Sequence, residues 1–161
     1  MFVKNDLLGT TLHLGAAILI GGVIGWERQL RGRPAGLRAH MLVSLGAAIA
    51  VSIAEETGSG DSTRVIQGVA TGIGFLCAGD ILHQVKAGRE HVKGLTSAAA
   101  LWVTAALGMV AATGLWYLAL VGTASTLLIL TVARKLEELI PRHISAADTE
   151  SVPQPPTLPD R

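Results

Sequence analysis

A single cysteine, Cys77, stands among 161 residues, which excludes an intramolecular disulfide and a cysteine-rich metal centre and leaves the redox compartment open. Charge is scarce: 16% of residues are Asp, Glu, Lys or Arg, where soluble domains carry about 25%. The formal net charge of +1 offers no basic surface for nucleic acid, and none is expected as a partner. The five histidines (His13, His40, His83, His91, His143) lack the i, i+4 spacing of a zinc-binding helix, and most are expected at interfaces or in solvent. No P-loop, dinucleotide fingerprint or serine nucleophile elbow occurs, since Gly72-Ile73-Gly74 lacks the following glycine and lies within an apolar run. No catalytic machinery is visible, and the reading is of a non-enzyme.

Apolar mass is what the chain has in abundance. Half of its residues are hydrophobic and the mean hydropathy is +0.49, an excess that calls for a non-aqueous solvent. Five runs, 7–26, 39–54, 65–82, 95–112 and 115–133, approach the ~20 residues that cross a ~30 Å hydrocarbon core. The spacing predicts an all-α, polytopic membrane bundle of five transmembrane helices in one domain, 1–140, inserted in a bacterial inner membrane. Residues 141–161 hold Pro153, Pro155, Pro156 and Pro159 and little apolar mass, and are expected to be a disordered cytoplasmic tail.

The connections alternate in charge. With the N-terminus outside, Arg28, Arg31, Arg33, Arg38, Lys86, Arg89, Lys93, Arg134, Lys135, Arg142 and Arg161 fall on the cytoplasmic side and only Lys4 and Arg64 outside, as the positive-inside rule demands. The N-terminus is therefore expected outside and the C-terminus in the cytoplasm. A cleaved signal peptide is not expected, because the first apolar run is long and its arginines follow rather than precede it.

Glycine placement predicts packing. Gly68, Gly72 and Gly79 share one side of the third helix, Gly21 and Gly25 give the first a small-x-x-x-small pair, and Ser97, Ala100, Thr104, Gly108 and Ala111 form a stripe on the fourth. Close helix contacts within the bundle are expected; a dimer interface or a sliding helix would use the same spacing. Trp102, Trp116 and Tyr117 fit membrane aromatics, the last two at the outer boundary.

Asp80 is the most informative residue, because an ionised carboxylate near the end of an apolar run needs a partner or water. It falls at the level of Glu27 and Arg28, Arg38, and Thr96 and Ser97, so four helix ends converge on one polar layer. Two readings stand. In one, Asp80 and Glu27, with the hydroxyls of Thr96 and Ser97, form a protonatable or Mg²⁺-responsive site, Asp80 being the weak metal candidate; in the other, Asp80 pairs with Arg28 or Arg38 as a brace. His83, three residues on, could share the Asp80 proton. The segment 28–38 combines four arginines with Gly32, Pro34 and Gly36, which suggests a fixed turn presenting guanidinium groups to lipid phosphates or an acidic partner, although topology alone also asks for arginines there.

Four blocks resemble the MgtC/SapB family of bacterial inner-membrane proteins: Gly25-Trp26-Glu27-Arg28; Arg33-Pro34-Ala35-Gly36-Leu37-Arg38-Ala39-His40-Met41-Leu42-Val43; Gly72-Ile73-Gly74-Phe75-Leu76-Cys77-Ala78-Gly79; and Gly94-Leu95-Thr96-Ser97-Ala98-Ala99-Ala100-Leu101-Trp102. The resemblance implies a five-helix membrane domain linked to growth under magnesium limitation and, in some members, to virulence, acting as a regulator of membrane energetics or of ATPases. The chain departs from the pattern at Ala39 (usually Thr), Cys77 (commonly Gly) and Asp80 (often aliphatic). The folded C-terminal domain of some members is not expected of the proline-rich tail. No resident cofactor is expected, with Mg²⁺ the one ion considered. The leading expectation is a regulator that contacts a larger transporter or ATPase, with homo-oligomerisation open; the other is a cation-conducting oligomer whose path passes Asp80.

Overall fold

The computed structural model describes residues 7–57, 62–86 and 94–139. The side chains of residues 82–86, His83 among them, the residues 87–93 and the tail from residue 141 lie outside the described residues. Five α-helices follow one another: α1 Leu7–Leu30, α2 Leu37–Glu56, α3 Ser62–Lys86, α4 Leu95–Ala112 and α5 Trp116–Leu139. Four of them, α1, α2, α4 and α5 over Trp116–Ala133, are long and apolar enough to cross a membrane. Helix α3 has the length, but Arg64, Gln67, Thr71 and Asp80 dilute its apolar run.

The order of burial is the reverse of that in a soluble bundle. Leu42, Ile49 and Ile53 of α2 are exposed, whereas His40, Ser44, Ala47, Ala48 and Val51 of the same helix are buried. Lipid is as apolar as leucine, so large side chains gain nothing from facing inward and small ones let backbones approach. Helix α2 sits between α1 and α4, the two neighbours it packs against most, while α3 leans on α4 and α5 lies at the edge. Ala17, Ala48, Val51, Ala111 and Ala112 form the centre, and Cys77, Ala98 and Leu101 a second cluster joining α3 to α4.

Three of the glycines marked by spacing are where helices touch. A Cβ at Gly21 would lie 2.9 Å from the carbonyl carbon of His40, one at Gly25 2.8 Å from Leu37 Cα, and one at Gly108 2.9 Å from Ser44 Cα. Each would displace backbone. Gly68, Gly72 and Gly79 differ: a Cβ at any of them meets nothing within 4 Å. The reason lies in the periodicity. At about 100° per residue the buried side of α3, carrying Ile73, Cys77 and Ile81, is roughly half a turn round from these glycines, so the glycine face of α3 stays open, with Gly72 at the edge of a groove shared with α2.

The turn between α1 and α2 is fixed by hydrogen bonds. Gly32, at φ +60°, donates to Gln29 O at 3.0 Å, and the Arg33 amide donates to Arg28 O at 3.1 Å, the paired closure of a helix ended by a left-handed residue. The Gln29 side chain then accepts from the Leu37 amide at 3.2 Å, satisfying one of the free amides that start α2. Since nothing lies within 4 Å of a Cβ at Gly32, Gly32→Ala is expected to cost only the conformational penalty, about 1–2 kcal/mol, measurable by reversible unfolding in mixed micelles.

Candidate functional site

The site is the polar layer where α1 ends and α2 and α4 begin. Arg28 is 3% exposed, and its Nη2 donates to Ser97 Oγ across 2.7 Å. A buried guanidinium is tolerated only when paired and hydrogen-bonded. Glu27, its neighbour in sequence, supplies opposite charge and also pairs with Arg31 one turn on. Asp80 is partly buried near the end of α3, and its charge reaches both Arg28 and Cys77. Arg28, Ser97, Glu27 and Asp80 are thus brought together, whereas Arg38 and Thr96 are exposed.

The layer is tied to the helices around it. Cys77 Sγ donates to Ala98 O at 3.1 Å, one residue from Ser97, so the thiol links α3 to α4 directly. Ala39 packs beside Cys77 in the same apolar cluster. Among the described residues, no three His, Cys, Asp or Glu side chains group as a metal ion requires.

A second group of polar residues runs deeper. His40 and Ser44 are fully buried on one face of α2, and Thr104 is fully buried on α4. The position of His40 corrects the expectation of an interfacial or solvated side chain: the close approach of Gly21 and Gly25 encloses it. His40 Nδ1 donates to Gly36 O at 3.0 Å, which fixes the tautomer and leaves Nε2 as the acceptor in the neutral ring. His40 Nε2, Ser44 Oγ, Arg28 Nε and Glu27 Oε2 have no hydrogen-bond partner among the described residues. Sequence reasoning missed His40 and Ser44. Their i, i+4 spacing, continued by Ala47, Ala48 and Val51, was the available signal, because it traces the small and polar face that turns inward in lipid.

The arrangement defines a class: a multi-pass helical membrane protein, with a buried arginine where three core helices meet. Residues 14–139 match the MgtC family, and the chain belongs to that family. It is 45% identical to the protein SrpB of Synechococcus elongatus over 148 residues, which cover 84% of this chain and 81% of that protein. It is 38% identical to YhiD of Escherichia coli K12, provisionally named a magnesium transporter, over 78% of this chain and 60% of YhiD. It is also 43% identical to the protein MgtC of Brucella abortus, over 86% of this chain and 57% of MgtC. The chain thus spans little more than half the length of these last two. No solved structure matches it.

Proposed function

We propose that this chain is a non-catalytic regulator tied to magnesium, acting by contact with a larger membrane transporter or ATPase rather than by carrying the ion itself. The observation behind this reading is the buried Arg28, whose guanidinium is held by Ser97 and whose charge is shared with Glu27 and Asp80. A fixed cation within electrostatic reach of the two carboxylates offsets the charge that would draw in Mg²⁺, an ion that gives up its waters reluctantly. Five helices cross the membrane in this reading, α3 included, with the N-terminus outside and the arginine turn in the cytoplasm. The open glycine face of α3 and the arginine turn are then the surfaces offered to the partner.

Photo-crosslinking from α3 in native membranes tests it. A product with a larger membrane protein, lost on Gly72→Leu while the chain keeps its fold, is expected; a product only with a second copy would replace the partner by a homo-oligomer. The competing reading, a cation path past Asp80, requires Mg²⁺ flux by the purified chain in liposomes that Asp80→Asn abolishes. No flux above protein-free vesicles is expected.

A further inference from the structure

We propose that the groove between α1 and α2 is a binding site for one anionic phospholipid, with an acyl chain along the groove and the phosphate on the arginine turn. The groove is open to one side, has a volume of about 410 Å³ and is lined by residues that include Ile18, Leu19, Gly22, Trp26, Leu37 and Met41, with nearly all of its surface apolar. On α1 the lining residues fall on one side of the helix, since spacings of 4 and 8 from Ile18 to Gly22 and Trp26 return to the same face. Gly22 makes the floor: a Cβ there would just touch Met41, at 3.8 Å, so the absence of a side chain keeps the channel open rather than letting two backbones meet.

Charge complementarity names the occupant. The groove ends at Trp26, 56% exposed, the amphipathic ring that settles at headgroup level, and at Leu37, which is followed at once by the exposed Arg38. Of the four arginines in the turn, Arg28 is committed to Ser97 and Arg31 to Glu27. Arg33 and Arg38 have no ion-pair partner among the described residues. The turn that carries Arg33 is held by the backbone closure at Gly32 and by the Gln29 cap on Leu37, so both arginines, Arg33 half-buried and Arg38 exposed, are anchored on a fixed backbone. An apolar trough, an interfacial tryptophan and two uncommitted arginines in that order match the tail, backbone and phosphate of a phospholipid.

Trp26 is the reporter. The full chain carrying Trp102→Phe and Trp116→Phe is placed in vesicles containing brominated phosphatidylglycerol or brominated phosphatidylcholine at equal mole fraction, and quenching of the remaining tryptophan is measured. Preference for the anionic lipid at Trp26 is expected at about fivefold or more for each arginine engaged. It should fall towards unity in Arg33→Gln/Arg38→Gln, and also in Gly22→Leu, which fills the groove with every charge kept. A matching variant retaining only Trp102, an exposed residue of α4 within about a helical turn of the same depth because Ser97 faces Arg28, should show no such preference. Equal quenching by both lipids at Trp26 overturns the proposal. So does an equal preference at Trp102, which would mean general enrichment around the protein, or a preference that survives Gly22→Leu. Unfolding midpoints of all variants verify that each is folded, and Gly22→Leu keeps the test decisive should the double arginine variant fail to fold.

Discussion

Replacing Arg28 by alanine is expected to destabilise the folded chain by at least about 1.5–3 kcal/mol, the worth of a buried hydrogen bond from a charged group, with the lost packing of its buried stem added. The substitution strips Ser97 of its 2.7 Å donor and leaves Glu27 and Asp80 without the cation whose field they share. Reversible unfolding in mixed micelles measures it, and two companions locate the cause. Ser97→Ala removes only a hydrogen bond to a charged group and is expected to cost about 1.5–3 kcal/mol. Arg38→Ala, at an exposed position of the same turn, is expected to change stability by less than about 0.5 kcal/mol. Equal effects of Arg28→Ala and Arg38→Ala would mean that the layer is a topological signal and not a structural tie.

The second large effect is steric. Gly108→Val puts a branched side chain where a single Cβ already lies 2.9 Å from the Ser44 backbone, and neither the α2 nor the α4 backbone can yield by a rotamer change. Alanine alone is expected to cost about 1–3 kcal/mol as overpacking, and valine to prevent α2 and α4 from docking, seen as loss of the cooperative unfolding transition. Gly72→Ala, where a Cβ meets open space, is expected to leave the midpoint unchanged. The contrast separates glycines used for close approach from glycines that only look alike in sequence.

These two sites show what the sequence could and could not convey. The apolar runs made the helices legible because length and hydropathy are local properties, and α4 begins and ends where its run does. The convergence of Glu27, Arg28, Asp80 and Ser97 was legible as a level along the bundle, since a known rise per residue converts sequence position into depth. Which charge lies inside was not: Arg28 and Arg38 look equivalent in the sequence, yet one is buried and the other exposed, a difference set by rotation about the helix axis. The same limit explains the α3 glycines, whose shared face was correctly derived from periodicity, while its direction depends on where α4 docks. His40 is expected at an interface or in solvent because a histidine beside a loop is ordinarily hydrated, and Ser44 carries no signal of its own, whereas in lipid the small and polar face is the one that turns inward.

The noncontiguous core bears on how the chain is made. Helices α1 and α2 are joined by a turn closed at Gly32 and meet along Gly21 and Gly25, so this hairpin contains its own contacts and can assemble as soon as both segments have left the ribosome. Helix α4 supplies the third wall, yet α3 is synthesised before it: α3 meets α2 at Ala39 and Val43 and gains the larger part of its packing, Cys77 against Ala98 included, from α4. Docking of the least apolar helix is therefore expected to be completed only once α4 has been made, after the α1–α2 pair it leans on.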